Sequence, residues 1–136
     1  MDGTLGQIER YYIARTLTCN FACAIRRTKE ALAQEGFGIL TEIDVKETLR
    51  QKLGATFRDY RILGACNPPF ALAALQAEDK IGLMLPCNVI VQDRGDGTVE
   101  VAAIDPLASM RAIENPSLNA IARDMRAKLQ ATIDRI

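Results

Sequence analysis

The sequence has no histidine and no tryptophan, and aromatic residues make up only 5% of its 136 positions. Without histidine there is no Ser–His–Asp triad, no Cys–His pair and no histidine-ligated metal. There is no excess charge either, because 17 Lys+Arg face 17 Asp+Glu. Nucleic-acid binding needs clustered cations against phosphates and is not expected. No stretch approaches the roughly 18 consecutive apolar residues of a membrane-spanning helix. The opening MDGTLGQIERYY carries Asp2 and Glu9 and lacks the apolar centre of a signal peptide. These absences predict a cytoplasmic chain that associates with neither membrane nor nucleic acid.

What is present is ordinary for one compact domain spanning 1–136. Hydrophobic residues make up 49% and charged residues 25% of the chain. Four cysteines are too few for a disulfide scaffold, and a core of this size does not need one, so reduced thiols are expected.

Residues 10–18 are rich in Tyr, Ile, Thr and Leu and read as a strand. Thr18 or Asn20 can cap a helix to about Glu35, with Phe21, Ala24, Ile25, Ala31 and Leu32 at helical spacing and Gly36 beyond its end. Residues 37–43 read as a second strand. Asp44 followed by Glu47 is a capping box for a helix over 45–53, whose apolar face is Val45, Leu49 and Leu53. Residues 59–65 form a third strand, and Asn67-Pro68-Pro69 opens a helix to 77 that buries Phe70, Ala71, Ala74 and Leu75. Residues 82–92 read as a long apolar strand interrupted by Pro86, joined through a turn at 93–97 to an alternating strand at 98–104. Asp105-Pro106 starts a helical segment through 113. Asn115-Pro116-Ser117 caps a last helix with a stripe of Leu118, Ile121, Met125, Leu129 and Ile133, and Asp124 can pair with Lys128 on its exposed side. The order predicts an α+β fold, an antiparallel-rich sheet with helices packed on one face.

Two short motifs each place Cys-Asn beside proline: Gly64-Ala65-Cys66-Asn67-Pro68 and Leu85-Pro86-Cys87-Asn88-Val89. A thiol just before a helix N-terminus lies near unsatisfied N–H groups, which favour thiolate. Pro86 cannot donate to a sheet ladder, so it marks an edge, a bulge or a kink that re-aims the next side chain. The sharp reading puts Cys66 and Cys87 on neighbouring strands facing one pocket, with Asn67 and Asn88 supplying amides to it. The plain alternative makes Cys66 a core residue, Asn67 a helix cap and Pro86 a guard on an edge strand. Asp105 could bring a carboxylate near the sheet edge, although Asp before Pro is also an ordinary turn start. Cys19 and Cys23 are spaced C-x3-C and read as helix packing. A metal site from all four cysteines lacks the usual knuckle spacing. Arg26, Arg27 and Lys29 form a short basic run read as an exposed helix face.

The runs GFGILTEIDVKETLRQKLG (36–54), YRILGACNPPFA (60–71), GLMLPCNVIVQ (82–92) and VAAIDP (101–106) resemble the domain-of-unknown-function family numbered 302. The resemblance implies a single α+β domain with a β-α-β(4)-α core, similar to the TATA-binding-protein-like fold class, and a tendency to dimerise. Its matching positions are Cys66, Asn67, Pro68, Pro86, Cys87, Asn88, Asp105 and Pro106; Cys19 and Cys23 fall outside its motif. It supplies no reaction and no cofactor.

Three functional readings follow. The first is a homodimer that binds a small ligand or a soft metal at Cys66 and Cys87, with Asn67, Asn88 and Asp105 around it. The second is a thiol redox protein using the same two cysteines. The third is a protein–protein interaction module built on the open sheet face, which a second copy can cover.

Overall fold

The computed structural model describes residues 10–136; the reading of Asp2 and Glu9 lies outside the described residues. Five strands form one antiparallel sheet in the order β1-β5-β4-β3-β2. They are β1 (Tyr12–Leu17), β2 (Gly38–Asp44), β3 (Tyr60–Cys66), β4 (Cys87–Asp93) and β5 (Val99–Ile104). The helices are α1 (Phe21–Gln34), α2 (Val45–Leu53), α3 (Pro68–Ala77), a four-residue α4 (Pro106–Ser109) and α5 (Pro116–Arg135). This is the α+β architecture that the element order predicts.

Alternation along the strands decides which side the helices cover. Val99, Val101 and Ala103 of β5 and Cys87, Val89 and Val91 of β4 are buried, while the residues between them are not. Against this face lie Ala24, Ile25, Thr28, Ala31 and Leu32 of α1 and the stripe Leu118, Met125, Leu129 and Ile133 of α5. The helices begin where local chemistry starts them. Asn20 accepts from Cys23 N at 2.8 Å, Asp44 from Glu47 N at 3.0 Å and Asn115 from Leu118 N at 3.2 Å. Only half of the expected capping box forms, because the Glu47 side chain turns to Arg50 and Gln51.

Several expectations need correction. Residues 81–84 form a 3-10 turn (Ile81–Met84) and not the start of a strand. β4 begins only after Pro86, which follows a cis Leu85–Pro86 bond and lacks the N–H a ladder needs. β4 is an interior strand, so Pro86 guards no edge. The α2 stripe is only shallowly covered: Val45 and Leu49 are half-buried, no residue of α2 is fully buried, and Leu53 is 75% exposed. In α3 only Ala74 is buried, and Leu75 is 45% exposed. Lys128 reaches Glu35, at the C-terminal cap of α1, at 3.7 Å and not Asp124 one turn away.

A pocket at the end of the sheet

β3 carries the first motif to the end of the sheet. Its last pairs with β4 are Gly64 with Asn88 and Ala65 with Cys87. Gly64 is required here by close approach: a Cβ at this position would lie 2.1 Å from Thr41 Oγ1 and 2.9 Å from Pro86 Cγ. The absent side chain lets β2 and the Pro86 ring close on β3. The β2 register also slips between Ile39 and Thr41, a bulge that leaves Leu40 65% exposed beside the same site.

A strand pleat sends neighbouring residues to opposite faces. Ala65 and Cys87 are paired and share the helix-covered face, so the pleat alone would put Cys66 on the other side. Both cysteines nevertheless line one cavity of about 270 Å³, because it opens at the end of the sheet where β3 passes into α3. Its walls include Leu40, Ala65, Ala71, Leu75, Leu85 and Pro86, with Met125 of α5 at the back. Asn67 is the one lining residue with a polar side chain other than the two thiols.

Asn67 occupies the N-cap position of α3 but makes no side-chain cap. Its Nδ2 donates to the Glu35 carbonyl at 3.3 Å, next to Gly36, whose φ of 86° favours glycine. The Glu35 carboxylate is held by Arg135 at 2.6 Å and Lys128 at 3.7 Å. The Arg135 hydrogen bond, opposed by partial burial and helped by both positive charges, lowers the Glu35 pKa. The pocket wall at Asn67 is thus tied to the C-terminal ends of α1 and α5. Cys87 is 3% exposed, and burial, then its proximity to Cys66, pushes its thiol up to about 11. Cys87 therefore rests as a thiol near neutral pH. Cys66 is half-buried, and all four cysteines are free.

The other expected residues lie elsewhere. Asn88 lines a groove of about 380 Å³ on the sheet face without helices, together with Tyr12, Tyr60, Ile90 and Gln92. It cannot join Cys87 because successive residues of β4 point to opposite faces. Asp105 caps α4 through Leu107 N at 3.0 Å and pairs with Arg126 at 3.1 Å, in a separate polar recess. The sequence named Met125, Ala71 and Leu75 as core-facing and Leu85 as part of the second motif, but assigned none of them to the pocket they line. Met125 carries only the signal of an apolar stripe, and which stripe residue closes a cavity depends on tertiary contact. Among the described residues no group of three or more Cys, Asp or Glu could hold a metal ion. No helix among them is long and apolar enough to cross a membrane.

These features define a small α+β domain with an apolar pocket where β3 and β4 end. The family model described as "Domain of unknown function DUF302" matches residues 13–136, and the chain belongs to that family. The crystal structure of an uncharacterized conserved DUF302 protein from Bacillus stearothermophilus is similar to it. The two share 32% identity with a TM-score of 0.85, over 92% of this chain and 97% of that one. No curated protein matches the chain.

Proposed function

We propose that the protein binds a small, mostly apolar molecule in the pocket between Cys66 and Cys87. The observation that carries the reading is that Cys66, Asn67, Pro86 and Cys87, from two motifs 21 residues apart in the chain, line one largely apolar cavity. Its volume of about 270 Å³ exceeds the roughly 150 Å³ that suffices for benzene. A ring with a short substituent fits, and the free carbonyl end of the Asn67 amide can accept one hydrogen bond from it. Binding is favoured over catalysis because the pocket holds no acid–base pair and Cys87 stays protonated.

A second reading rests on Met125. Two thiols and a thioether around one cavity are soft donors, which suit a monovalent soft ion such as Cu(I). We also infer a homodimer. The groove face carries Tyr12 and Ile90, and Arg94 is paired with Glu100 at 3.3 Å there. A second copy can therefore cover this face without net repulsion; sedimentation of a dimer that dissociates when Ile90 is changed to Lys supports this, and a monomer at all concentrations contradicts it.

The pocket is tested by titrating indole into the 15N-labelled protein. Shifts confined to Cys66, Asn67, Ala71 and Cys87, lost in Ala71→Phe, support binding. No shift at millimolar indole, or equal shifts in Ala71→Phe, overturn it. Competition between the protein and a Cu(I) chelator separates the metal reading, which requires Cu(I) retention that falls in Met125→Leu.

A further inference from the structure

Building on the pocket reading above, we propose that the ligand is a neutral amphiphile whose aliphatic chain outruns the pocket and lies across an apolar rim formed by α3 and the 81–84 turn. The rim is exposed where apolar surface is ordinarily covered. Gln76 is the only polar side chain of α3, yet Ala74 is its only buried residue. A helix apolar on every side normally sits inside a protein. Leu72 is 59% exposed and Leu83 87%, and Met84 is exposed beside Leu83. α3 packs against the turn, so these side chains adjoin one another. They also adjoin the pocket mouth. Leu75, at helical spacing from Leu72, lines the cavity, as do Gly82 and Leu85 on either side of Leu83 and Met84. Leu40, itself exposed, brings the same character from β2.

The chemistry of the rim selects the ligand class. Residues 62–92 carry three charges, Glu78, Asp79 and Lys80, and Lys80 pairs with Asp79 at 3.6 Å. Their net negative charge repels an anionic bilayer surface. Among the described residues the pocket wall has no charged side chain. An ionised head group would therefore be buried without a partner, at a large cost, so the head is neutral. A hydroxyl on that head donates to Asn67 Oδ1, and a ring or the first methylenes fill the cavity of about 270 Å³. The rest of the chain covers Leu75, Leu72 and Leu83, removing apolar surface of ligand and protein from water together. The exposed patch and the cavity beside it are then two parts of one site.

Equilibrium dialysis of the whole protein against 4-ethyl-, 4-butyl-, 4-hexyl- and 4-octylphenol at pH 7, each below its solubility limit, tests the chain. A fully buried methylene contributes about fourfold in affinity, and one lying on an open rim about half that free energy, or roughly twofold. Affinity should rise about sixteenfold from butyl to octyl. Leu72→Ser combined with Leu83→Ser, at side chains exposed enough to leave the fold intact, should cut that ratio to about fourfold or less. 4-Octylbenzoate, ionised at pH 7, should bind at least about tenfold more weakly than 4-octylphenol. No binding of 4-ethylphenol, or equal binding to Ala71→Phe, overturns the pocket itself. Binding of the ethyl and butyl compounds with no further gain to octyl leaves the pocket standing and overturns the chain. An unchanged ratio in the double variant overturns the rim, and octylbenzoate bound as tightly as octylphenol overturns the neutral head. A wild-type dimer that the double variant converts to monomer assigns the rim to a second copy and overturns the chain across it.

Discussion

Cys87 offers a direct way to measure how dry the pocket wall is. Its thiol ionises near 11 in the folded chain against an ordinary 9.0. Below pH 9 both folded and unfolded chains hold the proton, and the shift has no effect on stability. Between pH 9 and 11 the unfolded chain has lost it while the folded chain keeps it. The unfolded state then binds fewer protons, so stability falls as pH rises. Two units correspond to about 3 kcal/mol, most of it lost by pH 11. The assay is urea unfolding of the wild type and of Cys87→Ala at pH 8, 9, 10 and 11. The variant loses packing at every pH, which offsets its curve by a constant. The wild type alone should lose the additional amount, so the difference between the two shrinks towards alkaline pH. The same shift leaves roughly 0.1% thiolate on Cys87 at pH 8, where an ordinary thiol has about 10%. Iodoacetamide should therefore modify Cys87 on the order of a hundredfold more slowly than an exposed thiol. If the two stability curves run parallel from pH 8 to 11, Cys87 titrates as an open thiol and the sealed wall does not exist.

Other substitutions test the packing that shapes the pocket. Gly64→Ala places a methyl against Thr41 Oγ1 and Pro86 and should cost about 1–3 kcal/mol by chemical denaturation; adding Thr41→Ala should recover part of it. Leu129→Ala removes a fully buried side chain and should cost about 2–5 kcal/mol, whereas Leu53→Ser at the exposed end of α2 should stay within about 0.5 kcal/mol. Asn115→Ala loses both the α5 cap and the 2.8 Å bond to the Ala77 carbonyl that closes α3, and should lower stability by about 1–2 kcal/mol.

Local chemistry was readable in the sequence wherever it decides the outcome alone. Asn20, Asp44 and Asn115 cap their helices because a short polar side chain reaches its own backbone three residues on. Val99, Val101 and Ala103 alternate inward because a strand repeats every two residues. The misread features depend on neighbours distant in the chain. The stripe on α2 is amphipathic, but it packs only shallowly against β2 and β3, which leaves Val45 and Leu49 half-buried and Leu53 exposed. Lys128 has a partner one turn away, and Glu35 at the end of another helix takes it. Asn67 looks like a cap and turns instead to a carbonyl at the end of α1. At the site, sequence order pointed to Cys66, Asn67 and Cys87. It grouped Asn88 with them because adjacent letters hide the pleat, and it left Met125 to the core stripe because a buried methionine and a cavity wall have the same pattern.

Native mass spectrometry of the purified protein, beside Ala71→Phe, tests the pocket reading most directly. The account predicts an additional small-molecule mass on the wild type that is absent from the variant, with the free Cys66 thiol protected from alkylation while that mass is retained. A bare wild-type mass, with Cys66 alkylated at the same rate in both proteins, would contradict it.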